Sequence, residues 1–538
     1  MQKKSVLILG AGLMQKPAIE SAKNLGLCVY VIDANPNAEC VPLADFFKNI
    51  DLKDREAIFC YAKELKQNSN LVGIFTAGTD FSSSVSYAAE KLGFPCHSFE
   101  STLNATIKPR MRECFKKSGV PSPKFLSLSG SEITVEKVLS STESLGFPCV
   151  VKPADNMGAR GCRMIRSKEE AWQSVKIAAE NSRSSTVIIE EYMDGPEFSI
   201  DAVIYNGTMT ITGFADRHIF YKPYFIETGH TMPSTIDEEK RNELIFAFAN
   251  GVSSLGLSCG VAKADIKYTK NGPEIGEIAA RLSGGYMSGW TFPYASSLNL
   301  TEQALLIAIG KEPEELIKNR VSLPIKNKDF LLFDYPCKNV SAERAWISIP
   351  GRVKKIELFS KAESEVKNVF PRNIKEGDDV DFPRNNVQKC GNVITKSSSY
   401  QTAVEKAENA VSETFLRLSP NNKKTDFFLL GKTLPDENGF PPPAFSAFNK
   451  IDSLVLNGTI LKGESVLKDA EKFPILKELL SSLEKDWNHL TVFQTAEKFD
   501  FICKNHLDMN RFCFWSALFK GGLQGAVYIS DSILDSEK

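Results

Sequence analysis

Two acids, Asp265 and Glu277, flank the turn signal Lys270-Asn271-Gly272 between two strand-like runs. A three-residue loop ending in glycine, a type I turn with a G1 bulge, is a common hairpin connection. That register sets Thr269 against Pro273 and therefore Asp265 directly opposite Glu277. The two Cα atoms would then lie about 5 Å apart. Carboxylates so close repel each other unless a cation sits between them. Magnesium suits them, because it is a hard ion often shared between one or two carboxylates and substrate phosphates. A two-residue loop would instead put the acids on opposite faces, and two solvated strand acids are the plain alternative. Arg281 follows, just before Ser283-Gly284-Gly285. A guanidinium there would neutralise a transferring phosphoryl group, unless it is spent in a surface salt bridge.

Upstream, three features in order point to a nucleotide clamped between two β-rich layers. In Gly146-Phe147-Pro148-Cys149-Val150-Val151-Lys152-Pro153 a buried strand ends in a lysine suited to a phosphate. The loop from Asp155 to Gly161 follows. Its Gly158 and Gly161 let backbone N–H groups approach phosphate oxygens, and Arg160 adds a charge-assisted donor. Third, the strand Val187–Glu191 runs into Tyr192 and Met193 and turns at Asp194-Gly195-Pro196; Glu197 then opens a strand that Asn206-Gly207 closes into a hairpin. Each feature alone is an ordinary turn or strand end; their order and spacing carry the reading.

The elements that must position these groups begin with residues 1 to about 100. Strands at Val6–Leu9, Cys28–Ile32 and Leu71–Phe75, with helices at Pro17–Asn24 and around Ser84–Leu92, predict an open parallel α/β sheet. Its first turn, Gly10-Ala11-Gly12, lacks the third glycine of a dinucleotide fingerprint, so it is either a tight strand-to-helix turn or a ligand-facing loop. From about residue 321 to 420, Gly351, Gly377 and Gly391 punctuate short β-like runs, and a helix follows around Thr402–Leu416. Ser419-Pro420-Asn421-Asn422-Lys423-Lys424 reads as a linker. Amphipathic stretches near Phe473–Leu483 and Ala496–Leu507 lie beyond it.

Composition narrows the classes. The 538 residues carry 65 Lys and Arg against 66 Asp and Glu, which offers no broad field for nucleic acid or an anionic membrane. No stretch is long and apolar enough to span a bilayer, and the apolar run after Lys3 and Lys4 is too short for a signal peptide. The twelve cysteines form no C-x-x-C pair and the five histidines no metal-ligand cluster. A cytoplasmic protein of two to four domains is expected.

As an ordered set, Val150-Val151-Lys152-Pro153 with the glycine loop, Glu190-Glu191-Tyr192 with Gly195-Pro196-Glu197, and Glu277 with Arg281 resemble the ATP-grasp superfamily over roughly residues 1–420. The resemblance implies an α/β (α+β ATP-grasp) fold in four parts. These are a Rossmann-like pre-ATP-grasp domain (1–100), a two-lobed ATP-grasp domain (101–320), a small β-rich C-terminal domain (321–420) and an extra domain (421–538). It implies Lys108 and Lys152 on the α- and β-phosphates of ATP. It also implies adenine on the backbone of Tyr192 and Met193 with Glu190 and Glu191 in the hinge, Glu197 on the ribose hydroxyls, and Asp265 and Glu277 on Mg2+, with Mn2+ as the alternative ion. Ala279 stands where many members carry an asparagine, which leaves the metal one ligand short.

Asp216-Arg217-His218 and Tyr224-Phe225-Ile226-Glu227-Thr228-Gly229-His230 resemble the L-amino-acid ligase branch, which is carbamoyl-phosphate-synthase-like. This implies Glu227 on a substrate ammonium and His230 near the carboxylate or phosphoryl group, with His230 as candidate base; a loop acid and a capping histidine are the bland alternative. Residues 349–415 resemble the small C-terminal β-domain of that branch and of biotin carboxylases. The implied activity joins a small-molecule carboxylate to an amine through an acyl-phosphate, with Arg281, His230 and Glu227 at the chemistry. A carboxylase or purine-pathway synthetase and a non-catalytic ATP-binding module stay open beside it. Residues 425–538 are open to a docking role, and a homodimer is the default assembly.

Overall fold

The computed structural model describes residues 3–358, 365–371, 374–431 and 441–537. It divides into two compact units: Met1–Ile219, Gly229–Ala342 and Lys396–Tyr400 form the first, and Phe220–Thr228, Glu343–Thr395 and Gln401–Lys538 the second.

In the first unit, β1 (Ser5–Leu9), β2 (Cys28–Asp33), β3 (Phe46–Asn49) and β4 (Leu71–Phe75) form an all-parallel sheet in the order β3-β2-β1-β4. The sequence of β1 does not alternate, and every residue in it is buried, as a strand covered on both faces requires. Val6, Ile8, Val29 and Val31 enter one apolar cluster, while Leu7, Leu9, Ile32 and Ile74 enter another. The turn after β1 is closed from within. Gln15 donates to the Ala77 carbonyl and accepts from Gly12 N, and Asp33 accepts the Ala11 N–H at 2.8 Å. Gly10-Ala11-Gly12 is thus a tight turn filled by a side chain. The loop Thr76–Asp80 leaves β4 at the sheet's C-terminal edge, where open α/β sheets bind ligands.

Two antiparallel sheets follow. The first, in the order β5-β8-β6-β7, comprises β5 (Phe125–Ser129), β6 (Cys149–Pro153), β7 (Arg163–Ile165) and β8 (Thr186–Glu191). Val151, Ile165, Val187 and Ile189 pack with Val138 and Val175 of the helices Val135–Leu145 and Ala171–Glu180. The second is built from β9 (Glu197–Tyr205), β10 (Thr208–Phe220), β11 (Ile226–Met232), β12 (Gly260–Thr269) and β13 (Gly272–Ala279), in the order β13-β12-β9-β10-β11. The helix Glu238–Leu255, capped by Asp237 and stopped at left-handed Gly256, lays Leu244, Phe248 and Val252 against Ile200, Ala264 and Ile278.

The β12–β13 hairpin corrects the expected turn. Thr269 pairs with Gly272 and Tyr268 with Pro273, so the loop holds two residues, Lys270 and Asn271. The Thr269 hydroxyl accepts the Asn271 N–H and donates to the Gly272 carbonyl, which tightens the turn by one residue. The register then shifts between Asp265 and Ile266, with Gly276 as the extra residue, and Asp265 pairs with Glu277.

In the second unit, Gly351–Leu358 pairs with Thr414–Leu418, and Val366–Pro371 pairs with Gly391–Ser397, all antiparallel. Residues 419–424 are not a spacer. Asn422 caps the helix Lys423–Leu430 through Lys424 N and Thr425 N, because a polar stretch of this kind also serves as a helix start. That helix and the long helix Arg511–Ser536 share one core with the strands before them: Ile349, Phe415, Leu418, Phe428, Leu429, Trp515 and Phe519 belong to a single apolar cluster. Among the described residues, no helix is long and apolar enough to cross a membrane.

Candidate active site

Lys152, at the end of β6, lies 2.7 Å from the Glu190 carboxylate, whose other oxygen accepts the Arg112 Nε–H at 2.7 Å. Glu190 and Arg112 are both only 1% exposed. Burial pushes the Glu190 carboxyl up, but the two cations outweigh it and hold its pKa at about 2. Burial pushes Lys152 down, and Glu190 more than restores it, so its charge is secure. Glu190 therefore clamps two cations. Arg112 also donates to the Gly276 carbonyl at 2.6 Å, tying the helix Lys108–Ser118 to β13. Arg112 was not among the expected residues. Its signal was one helical turn of spacing from Lys108, which puts both on one face.

Lys108 donates to the Asn156 carbonyl at 3.0 Å and stands 3.7 Å from Glu277. It thereby bridges the glycine loop to the hairpin acids. In that loop Asp155 accepts Ser182 Oγ and the Arg183 and Ser184 N–H groups, and Arg160 Nε donates to the Met157 carbonyl at 3.0 Å. Gly158 and Gly161 have φ of +69° and +70°. A Cβ at Gly161 would fall 2.9 Å from that of Asn181, so only glycine fits the approach.

At the end of β8, Glu191 meets Lys124 at 3.0 Å, and beyond it the Met193 carbonyl accepts from Lys267 Nζ at 3.2 Å. The Lys267 ammonium sits 5.2 Å from the centre of the Tyr192 ring and 3.4 Å from Glu197. Glu197 also accepts from Arg217, its register partner on β10.

Asp265 accepts Ser199 Oγ at 2.9 Å, a Lys263 ammonium proton, and lies 3.1 Å from Arg217. Lys263, Asp265 and Lys267 alternate on β12 and so share a face. Glu277 keeps a third of its side chain exposed. Burial raises it, while Lys108 and Lys263 outweigh that and hold it below the usual carboxylate range. Arg281 Nε lies 4.0 Å from Asp80, which extends from the loop after β4. Asp201, buried, accepts Ser283 Oγ and, at 2.8 Å, Ser288 Oγ, which pins the segment after Arg281. Among the described residues no group of three or more His, Cys, Asp or Glu side chains is arranged to hold a metal.

The stretch 227–230 straddles the two units. In the second, Glu227 N donates to Asn386 Oδ1 at 2.8 Å, and buried Lys389 donates to the Glu227 carbonyl at 2.7 Å and lies 3.8 Å from its carboxylate. In the first, His230 is buried on β11, next to Thr231, whose hydroxyl contacts His218 Nε2 at 3.0 Å.

Two comparisons meet this geometry. Residues 145–289, the span from β6 to beyond Arg281, match the ATP-grasp domain. The chain carries an ATP-grasp domain. Beyond it, residues 345–419 match L-amino acid ligase C-terminal domain 2. Carnosine synthase 1 of Mus musculus is 23% identical over 339 residues, 58% of this chain and 40% of that protein. The chain thus spans less than half the length of that relative. Among solved structures, the L-amino acid ligase from Bacillus licheniformis superposes with a TM-score of 0.65 at 20% identity, covering 78% of this chain and all of that one (100%). Phosphoribosylglycinamide synthetase from Anaerococcus prevotii gives 0.58 at 19% identity, covering 78% and 100%. At these identities the likeness is one of fold. The family uses ATP with divalent metal ions.

Proposed function

We propose that the protein is an ATP-dependent carboxylate–amine ligase that forms an amide or peptide bond through an acyl-phosphate, with an amino acid among its substrates. The observation that carries the reading is the line of fixed cations, Lys152, Lys108 and Arg281, along the acids Glu190, Glu277 and Asp80. Such cations offset the charge that grows when a carboxylate attacks a phosphoryl group, and pre-fixed donors need no reorganisation as it does so. Lys108 and Lys152 hold the α- and β-phosphates, with Gly158, Arg160 and Gly161 folded over them to exclude water. The backbone of Tyr192 and Met193 takes the adenine, beside Glu190 and Glu191, and Glu197 the ribose. The match to an L-amino acid ligase domain supports the choice of an amino acid over bicarbonate. By the same resemblance Glu227 would hold a substrate ammonium, and His230 would lie near the carboxylate or the phosphoryl group.

The donor set fits one hard divalent ion, magnesium or manganese. Glu277 is open enough to contribute an oxygen, and Asp265 lies opposite it but is partly spent on Lys263 and Arg217. Phosphate oxygens and water would complete the shell, and the ion would supply positive charge between the phosphates. The near-neutral charge fits small-molecule partners rather than nucleic acid or membrane, and a homodimer is the default assembly. Twelve free thiols fit the cytoplasm. The test is ADP formation from Mg-ATP with single amino acids, pairs of amino acids, and bicarbonate. ADP that depends on an amino acid supports the ligase; ADP that depends on bicarbonate overturns it in favour of a carboxylase.

A further inference from the structure

Asp80 presents an unsolved electrostatic problem. It leaves the C-terminal end of β4, far in sequence from the ATP-grasp domain, yet its side chain is only 12% exposed beside Arg281, itself 10% exposed. No hydrogen bond reaches the Asp80 carboxylate among the described residues, and its nearest cation, Arg281 Nε, stops at 4.0 Å. Among the described residues that Nε–H is itself buried without an acceptor, and Arg281 donates through Nη1 to the Leu282 carbonyl at 3.2 Å. A buried guanidinium N–H is normally satisfied, and leaving it short of an acceptor is costly, while the Asp80 carboxylate meets its nearest cation only at 4.0 Å. The backbone keeps them there. The Gly78 carbonyl lies 3.5 Å from where a Gly284 Cβ would be, so the loops carrying Asp80 and Arg281 abut, and Asp201 anchors the second through Ser283 and Ser288.

The groups facing Asp80 are Arg281, Glu277, Lys108 and Arg183. Burial raises the Asp80 carboxyl, and Arg281 opposes this without cancelling it. An acid in such a place gains most from a cationic ligand that also donates hydrogen bonds. Lys108 and Arg281 already serve the phosphoryl side in the ligase reading, and Glu227 is assigned to one substrate ammonium; joining two amino acids brings a second, the ammonium of the incoming amine.

We propose that Asp80 is the receptor for the ammonium group of the amine substrate, which it docks beside Arg281 and the activated carboxylate. The substrate class is an amine that is cationic at neutral pH, such as an α-amino acid. The inference rests on the ligase reading above.

The test uses the full chain with Mg-ATP and compares two nucleophiles for the same acid: hydroxylamine, largely uncharged near neutral pH, and an α-amino acid. In Asp80→Asn, kcat/KM for the amino acid falls about 100-fold through KM, the scale of a lost buried charge partner. Hydroxamate formation falls less than about 10-fold, because the receptor is not needed for it. An equal fall with both nucleophiles would overturn the proposal and make Asp80 a positioning residue for Arg281. No fall with either would overturn it as well. If the unaltered enzyme forms neither amide nor hydroxamate from any acid, the ligase reading fails first and takes this proposal with it.

Discussion

Asp265 faces Glu277 across a hairpin whose loop is too short to put them there, and Gly276, the extra residue in β13, is what realigns them. Because side chains alternate faces along a strand, adding one further residue there reverses everything beyond it. Inserting one alanine between Gly276 and Glu277 should therefore turn Glu277 away from Asp265 and Lys108 and abolish ATP turnover, while circular dichroism keeps its β content. An active insertion variant would show that the pairing is not used. Glu277→Gln is the milder companion and should also stop turnover.

The Arg112–Glu190–Lys152 cluster is buried and mutually satisfied, so its central acid is the costly one to remove. Glu190→Gln leaves two buried cations facing a neutral amide, a loss of about 3–5 kcal/mol. Urea unfolding followed by fluorescence measures it. A variant within about 0.5 kcal/mol of the parent would mean that water reaches the cluster.

His97 supplies a pH signature. Its Nε2–H donates to the Val261 carbonyl at 2.9 Å, and its Nδ1 accepts the Ser258 and Cys259 N–H groups at 3.1 and 3.2 Å. Burial lowers its pKa to about 4 from 6.5, against a small rise from Val261. The unfolded chain then binds the extra proton in that interval, so this group makes stability rise with pH from about 4 to about 6.5. The span is worth about 3 kcal/mol. His97→Gln should flatten that part of the stability curve relative to the parent, as thermal melts at a series of pH values would record; an unchanged slope would contradict a neutral, buried His97.

Trp515, Phe514 and Phe519 cover Ile349, Phe415 and Leu418 in one core. A chain ended after Ser419 should consequently expose that surface and aggregate or bind a hydrophobic dye. Trp515→Ala in the full chain should cost about 3–5 kcal/mol. A soluble, cooperative truncated protein would instead show the last segment to be an appendage.

Much of the scaffold was legible because it follows local rules. The non-alternating β1, the strand ending in Lys152, and the acid pair Asp265 and Glu277 are patterns of burial and period. What was hidden depends on long-range placement. Arg112 meets Glu190, and Asp80 meets Arg281, across 78 and more residues of chain, and no local pattern announces either meeting. The hairpin shows a third case: the register at Asp265 was readable, but the position of the extra residue was not, since Thr269 decides it through its own side-chain hydrogen bonds. Residues 419–424 misled because a capped helix start and a linker share a composition.

The most direct measurement follows the substrate oxygen. An amino acid labelled with heavy oxygen in its carboxylate is incubated with Mg-ATP and an amine, and phosphate, nucleotide and product are weighed by mass spectrometry. An acyl-phosphate ligase yields ADP, one labelled oxygen in each inorganic phosphate released, and a product lighter than its two substrates by one water that carries the label. Phosphate free of label, or AMP with pyrophosphate in place of ADP, would contradict an acyl-phosphate ligase.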